Sequence, residues 1–184
     1  SVPTGAVFKT VTSSGTTGQK TSKIVLDERT AAWQQQTLQR IMADFIGEKR
    51  IPMLIIDAPN VLRDRALFSA RGAGILGFSI FGSKRCYALK EDMSLDLETV
   101  EAFLEKAGDG PVLVFGFTYM VWKYFYEPLK RSGHMLHLEH GFLIHGGGWK
   151  KLAGEAVSPG EFKARVAAAT GVERVSNYYG MAEQ

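Results

Sequence analysis

The chain has 184 residues, of which 45% are hydrophobic, and its formal net charge is +3. This length and apolar content predict one domain with a sizeable core and argue against disorder. The basic residues are dispersed, which gives little support to nucleic-acid binding, and no apolar run approaches the ~20 residues that a membrane span needs. The single cysteine, Cys86, excludes an internal disulfide and fits a reducing compartment, so we expect a cytoplasmic protein.

A hydroxyl-rich loop between two short predicted strands is the first notable feature. It contains the run Ser13–Gly18 and, shortly after it, Lys20. Glycines let backbone N–H groups curl around an anion, hydroxyls add donors and a lysine adds positive charge, so phosphate binding is one interpretation. The same composition is typical of linkers and hairpin turns. A P-loop is disfavoured because Gln19 separates Gly18 from Lys20.

Helix and strand patterns alternate along the rest of the chain. The predicted helices are Glu28 to Ile46, Ala66 to Phe81, Leu97 to Ala107, Tyr119 to Ser132 and Pro159 to Thr170. The predicted strands are Pro52 to Asp57, Cys86 to Leu89, Pro111 to Phe117, Phe142 to His145 and Val175 to Tyr179. This alternation predicts an α/β fold with a mainly parallel sheet flanked by helices.

Asp27 is expected to cap the helix that begins at Glu28, and three further residues are expected to cap later helices. Asp96 precedes the helix that begins at Leu97, Thr118 precedes the helix that begins at Tyr119, and Ser158 precedes Pro159. Side-chain oxygens at such positions accept hydrogen bonds from the first backbone N–H groups of a helix. We therefore expect all four side chains to satisfy the start of their own helix.

In parallel sheets, ligands gather at the carboxyl ends of the strands. Three loops have a suitable composition and follow a predicted strand: Ser13–Lys20, Gly146–Trp149 and Gly180–Glu183. We expect them to meet at one edge of a single sheet. Taken singly, each has a plainer interpretation, namely a hairpin, a glycine turn and a solvated carboxylate.

Taken in order, the three motifs resemble those of the AMP-forming adenylating enzymes. Ser14 to Gly18 reads Ser-Gly-Thr-Thr-Gly, the phosphate loop of that superfamily. The runs HGGGWKK from His145 and YGMAEQ from Tyr179 are most similar to LuxE-type acyl-protein synthetases. Two features depart from the pattern: the loop lacks its usual Pro-Lys continuation, and Ala182 replaces a threonine that usually contacts the α-phosphate.

The resemblance implies a role for each matching position. The phosphate loop would hold the β- and γ-phosphates of ATP, while the triple glycine and Tyr179 would lie on opposite faces of the adenine. Glu183 would ligate Mg²⁺ and, with Thr16 and Thr17, is a catalytic candidate. The candidate nucleotide-binding residues are Ser13, Ser14, Gly15, Thr16, Thr17, Gly18, Lys20, Gly146, Gly147, Gly148, Tyr179 and Gly180.

On this resemblance, residues 1–184 form a single, partial adenylation core that lacks the family's C-terminal domain and is feeble alone. The implied reaction is ATP-dependent activation of a carboxylic, fatty acid as an acyl-adenylate, followed by transfer to a thiol of a protein cysteine or of CoA. One alternative is a non-catalytic ATP- or AMP-binding module that has lost this chemistry. A hydrolase or kinase of another phosphate-binding class would need a nucleophile or base motif that the sequence does not show.

Other features admit two interpretations. The helix from Tyr119 and the segment Ala70–Gly77 form either the walls of an acyl slot or plain core. Four histidines gather within twelve residues, namely His134, His137, His140 and His145. On a helix the first three would share one face and could bind Zn²⁺. The alternative is that the third or the fourth lines the nucleotide or acyl site. Cys86 is expected to be a structural residue.

Overall fold

The computed structural model describes residues 9–12, 23–26, 28–63, 70–149 and 154–178. The chain divides into two compact units, one of residues 1–47 with 179–184 and one of residues 48–178. Among the described residues, no helix combines the length and the apolar character that crossing a membrane requires.

The first unit contains a hairpin and a long helix. Strands β1 (Lys9–Thr12) and β2 (Lys23–Leu26) pair antiparallel in a sheet of their own. Helix α1 (Glu28–Ile46) follows and ends at Gly47, whose φ of 78° suits glycine and whose N–H donates to the Ala43 carbonyl at 2.9 Å. The predicted phosphate loop therefore joins the strands of a hairpin. The expectation that it follows a strand of the parallel sheet is wrong.

The second unit is built on a five-stranded parallel sheet, which confirms the predicted α/β fold. Its strands are β3 (Ile51–Ile55), β4 (Gly82–Tyr87), β5 (Val112–Phe117), β6 (Gly141–Gly146) and β7 (Arg174–Tyr178). Their spatial order is β4-β3-β5-β6-β7, and every neighbouring pair is parallel. The central strands read as continuous apolar runs because both faces of the sheet are covered.

The order of the strands creates a switch point between β3 and β5. Helix α2 (Ala70–Ser79) connects β3 outward to β4, whereas α3 (Leu97–Ala107) returns the chain past β3 to β5. Right-handed connections then place α2 on one face and the later helices on the other. The contacts agree: Phe78 of α2 stacks on Phe115 with ring centroids 4.5 Å apart. A crevice at the carboxyl edge is expected where such connections diverge.

Helix α4 (residues 118–132) changes its winding along its length. It is α-helical over Thr118–Met120, π-helical over Val121–Tyr126 and α-helical again over Glu127–Ser132. Pro128 explains the change, because its ring would clash with the carbonyl four residues earlier and it has no N–H to donate. A wider π turn relieves that clash.

The buried residues of α4 belong to the main core, together with residues of β3, β5 and α3. That core lies on the face of the sheet opposite α2. The suggested acyl slot between α2 and α4 is therefore interrupted by the sheet, and the plain-core interpretation is confirmed for α4.

The predicted cap Asp27 lies outside the described residues, and two of the other three predicted caps are confirmed. Asp96 accepts from the N–H of Thr99 at 3.3 Å, and Ser158, at the start of helix α5 (Pro159–Thr170), accepts from Glu161 at 3.2 Å. The prediction for Thr118 is wrong: α4 begins at Thr118, and Phe117 occupies the cap position without a side-chain bond. The Thr118 hydroxyl instead crosses to a neighbouring strand.

Candidate functional site

The carboxyl edge of the five-stranded sheet brings together residues that are distant in sequence. Phe117 at the end of β5 lies opposite Gly146 of β6, and Gly146 lies opposite Tyr178 of β7. The triple glycine predicted to contact a nucleotide is thus a turn that leaves the sheet beside two other strand ends. The remaining predicted site residues lie outside the described part of the chain: Ser13, Ser14, Gly15, Thr16, Thr17, Gly18, Lys20, Tyr179, Gly180 and Glu183.

The three glycines of this turn differ in what surrounds them. A Cβ on Gly146 would lie 2.7 Å from the carbonyl oxygen of Tyr178. Gly147 has a φ of 71°, and its Cβ would lie 2.8 Å from Cδ1 of Phe117. A Cβ on Gly148 would meet no described atom within 4 Å. Packing within the chain therefore explains the first two glycines, and of the three only Gly148 has no described atom close to its Cβ position.

Exposure also separates the three. Gly146 is buried, whereas Gly147 and Gly148 are exposed. A residue without a side chain lets a ligand approach the backbone closely. Among the described residues, the backbone of the second and third glycines is thus accessible.

The Thr118 hydroxyl fastens this turn to the start of α4. Its Oγ1 lies 2.9 Å from Nδ1 of His145, 2.9 Å from the carbonyl oxygen of Gly147 and 3.1 Å from that of Gly146. A hydroxyl has one hydrogen, so it satisfies this environment by accepting from the His145 N–H and donating to the carbonyls. Sequence reasoning missed this contact because a threonine directly after a buried strand also fits a helix cap.

His145 is the buried member of this group. Burial lowers the pKa of its imidazole from 6.5 to about 4. The centroid of the imidazole ring lies 4.5 Å from the centroid of the Phe162 ring in α5. The ring is therefore neutral at pH 7 and carries a single N–H, which agrees with donation from Nδ1 to Thr118. His145 lies beside the glycine turn, whereas His140 is exposed and precedes β6 at the opposite edge of the sheet.

An ion pair between the buried Asp57 and the partly buried Arg71 lies at the switch point between β3 and β5. Asp57 is 2% exposed, and its carboxylate accepts from Arg71 Nη2 at 2.8 Å and from Arg71 Nε at 2.9 Å. The backbone N–H of Ala58 donates to the same carboxylate at 2.8 Å. Arg71 Nη1 also donates to the hydroxyl of Tyr119 at 3.3 Å. This cluster links the first turns of α2 and α4 across the end of the sheet.

The sequence comparison decides the family. A family model described as acyl-protein synthetase, LuxE, matches residues 2–184. The chain belongs to the LuxE acyl-protein synthetase family. No curated protein matches it significantly. Membership of the LuxE family implies an enzyme with acyl-protein synthetase activity, an acid substrate and an acyl-accepting partner.

Cys86 is poorly suited to accept an acyl group in a LuxE-family enzyme. It is buried, and burial raises the pKa of its thiol to about 11. The reactive species is the thiolate, which is scarce near neutral pH at such a pKa. The burial confirms the expectation that Cys86 is structural.

The histidines before β6 lie away from the candidate site of this LuxE-family chain. Residues 134–138 are not helical, His134 Nε2 lies 2.8 Å from a carboxylate oxygen of Glu101, and His137 pairs with Glu139 at 3.2 Å. In the described ranges, no group of three or more His, Cys, Asp or Glu side chains could hold a metal ion. A cavity of about 400 Å³ beside these histidines lies at the amino edge of the sheet.

The glycine turn gives a testable contrast between neighbours. Gly147→Ala should destabilise the LuxE-family chain by about 1–3 kcal/mol, because alanine is strained at a positive φ and would contact Phe117. Gly148→Ala should change the free energy of unfolding by no more than about 0.5 kcal/mol. Urea denaturation of the two variants and the wild type measures both effects, and equal losses would contradict the geometry of the turn.

Proposed function

We propose that this chain provides the ATP-binding, adenylate-forming part of an acid–thiol ligase of the AMP-forming type. The substrate is a carboxylic acid, in the first place a fatty acid, and the acceptor is the thiol of a protein cysteine or of CoA. The observation that carries the proposal is the exposed Gly147–Gly148 backbone at the carboxyl edge of the parallel sheet, within a chain matched by the LuxE family from end to end.

The first step of the proposed reaction needs no covalent enzyme intermediate. A carboxylate oxygen attacks the α-phosphorus of ATP, and the bond to pyrophosphate breaks, leaving a mixed anhydride of the acid and AMP. A thiolate then attacks the acyl carbon, forming the thioester and releasing AMP. Such phosphoryl transfer depends chiefly on positioning and on the stabilisation of developing charge.

The exposed backbone of the second and third glycines supports placing the nucleotide base there. The Thr118 hydroxyl lies within hydrogen-bond distance of the carbonyl oxygens of Gly146 and Gly147. A ring at this turn would therefore pack on the faces of the peptide groups and would not hydrogen-bond to these carbonyls. The proposal places Tyr179 on the far side of the base, since an aromatic ring packs well on another. It places the phosphates on Ser13–Gly18 and Lys20.

Glu183 is the residue proposed to hold Mg²⁺, with Thr16 and Thr17 as donors to the phosphates. A carboxylate suits this hard cation, which takes oxygen ligands and often only one or two from the protein. Bound there, Mg²⁺ would neutralise phosphate charge. These residues lie outside the described ranges, so the assignment depends on the sequence motifs.

Exchange of labelled pyrophosphate into ATP by the complete gene product tests the proposal. We expect exchange only when a cognate carboxylic acid is present, because reversal of the first step needs the acyl-adenylate. Glu183→Ala should weaken the Mg²⁺-dependent exchange, and Glu173→Ala, at an exposed position, is the control.

Absence of exchange across a wide panel of acids would overturn the proposed function. Binding of Mg·ATP without any turnover would instead favour the non-catalytic module. Release of phosphate with ADP would favour another class of phosphate-binding enzyme.

A further inference from the structure

The hydrogen-bond partners of the Thr118 hydroxyl are unusual for a threonine in a helix. Thr170 donates to the carbonyl of Val166, four residues earlier, at 2.7 Å, and Thr37 donates to Trp33 in the same way. Thr118 is the first residue of α4, and its partners are 27 to 29 residues away on β6 and the glycine turn. Its hydroxyl therefore serves the turn and not its own helix.

His145 fixes the direction in which this hydroxyl donates. Both residues are buried, so their polar atoms depend on each other for hydrogen bonds. Donation from His145 Nδ1 occupies the Thr118 oxygen as an acceptor, which leaves the hydroxyl hydrogen for the carbonyls of Gly146 and Gly147. The ring of Phe162 packs against the imidazole and holds it in place.

The turn needs such an anchor because of its composition. Three consecutive glycines have more conformational freedom than any other sequence of that length, and ordering them costs entropy. Gly147 has a φ of 71° and directly follows Gly146, the last residue of β6 that pairs with β7. A hydroxyl bonded to the carbonyls of Gly146 and Gly147 fixes the peptide planes that lead into the exposed Gly148.

We propose that Thr118, supported by His145, is a positioning residue that presents the Gly147–Gly148 backbone to the nucleotide. This inference rests on the proposed function, because it concerns the same nucleotide site. Loss of the hydroxyl would leave the turn intact as a connection but free to reorient. Nucleotide binding would weaken, while the chemistry of a nucleotide once bound would change little.

Three variants of the complete gene product test this role. Thr118→Val replaces the hydroxyl with a methyl group, and Thr118→Ser keeps the hydroxyl. Thr170→Val makes the same change at a buried threonine whose hydroxyl donates within its own helix and accepts from the N–H of Val172. We expect Thr118→Val to raise the KM for ATP in pyrophosphate exchange by about tenfold, the loss typical of one hydrogen bond to a buried group, with kcat within about twofold. Thr118→Ser and Thr170→Val should keep the wild-type KM.

Two measurements do not depend on activity. The dissociation constant of AMP, measured by calorimetry, should rise in Thr118→Val by about the same factor as the KM. Amide hydrogen exchange in peptides that contain residues 146–149 should be faster in Thr118→Val than in Thr170→Val.

An unchanged KM and unchanged exchange at the turn in Thr118→Val would overturn the inference, as would an equal rise of KM in Thr170→Val. If the wild-type protein neither exchanges pyrophosphate nor binds AMP, the proposed function fails, and the nucleotide role of Thr118 fails with it. If the wild type is active but Thr118→Val and Thr118→Ser have the same KM for ATP, this inference fails and the proposed function stands.

Discussion

Replacing Arg71 by methionine should lower the free energy of unfolding by about 3–5 kcal/mol, the cost typical of removing one partner of a buried ion pair. Asp57 would keep its burial, at 2% exposure, but lose the guanidinium that bonds both of its carboxylate oxygens. Urea denaturation at pH 7 measures the loss. The effect should be among the largest of any single substitution because an uncompensated charge would remain inside the protein.

A matched surface pair and a double variant make this test specific. Arg63 pairs with Glu91, but their side chains are 70% and 63% exposed, so Arg63→Met should cost at most about 1 kcal/mol. The double variant Asp57→Asn with Arg71→Met should be less destabilised than Arg71→Met alone, because no buried charge is left without a partner. If Arg71→Met costs no more than Arg63→Met, the buried pair does not stabilise the switch point.

Phe162→Ala should destabilise the chain by about 3–5 kcal/mol and also change the titration of His145. Phe162 is 2% exposed. The centroid of its ring lies 4.5 Å from the centroid of the His145 ring and 5.9 Å from that of the Trp122 ring. Removing it would admit water to the imidazole. The pKa of His145 should then rise from about 4 toward its usual 6.5, because burial is what lowers it.

The sign of the pH effect follows from that pKa. The unfolded chain takes up a proton at His145 near pH 6.5, whereas the folded chain resists protonation until about pH 4. The stability contributed by the neutral ring is therefore complete above pH 6.5 and is lost as the pH falls toward 4, by up to about 3 kcal/mol. In Phe162→Ala this acid-dependent loss should be smaller.

Unfolding at pH 7.5 and pH 4.5, together with an NMR titration of the imidazole, measures both effects. Phe78→Ala is the matched control, since Phe78 is equally buried but packs on the opposite face of the sheet. It should cost a similar amount and leave the pKa of His145 near 4. A wild-type His145 that titrates near 6.5 would contradict the account of its burial.

The parallel sheet could be predicted from the sequence because its physical signals are local. The central strands are apolar runs, and the helix Leu97–Ala107 was predicted with its true ends because its cap, apolar stripe and terminal glycine agree. A hairpin was one of the interpretations of the hydroxyl-rich loop, but the separation of β1 and β2 from the parallel sheet could not be predicted. Short strands of that composition pair equally well with a hairpin partner or with the edge of a larger sheet.

The candidate site was only partly predictable. The glycine run marked the turn after β6, but a sequence does not distinguish a glycine that packing requires, such as Gly146, from one that a ligand requires. The pairing of Asp57 with Arg71 depends on how α2 returns across the sheet, which no local pattern encodes. The position of Thr118 after a strand fits the sequence rule for a helix cap, but in the folded chain its hydroxyl bonds to β6 and the glycine turn.

The most direct measurement of the central claim follows oxygen from the acid into the nucleotide. The complete gene product is supplied with ATP, Mg²⁺, an acyl acceptor and a fatty acid labelled with ¹⁸O in its carboxylate. Attack of the carboxylate on the α-phosphorus predicts that each AMP released carries one ¹⁸O atom from the acid. Recovery of the label in inorganic phosphate with ADP, or AMP that contains none, would contradict the proposed activation.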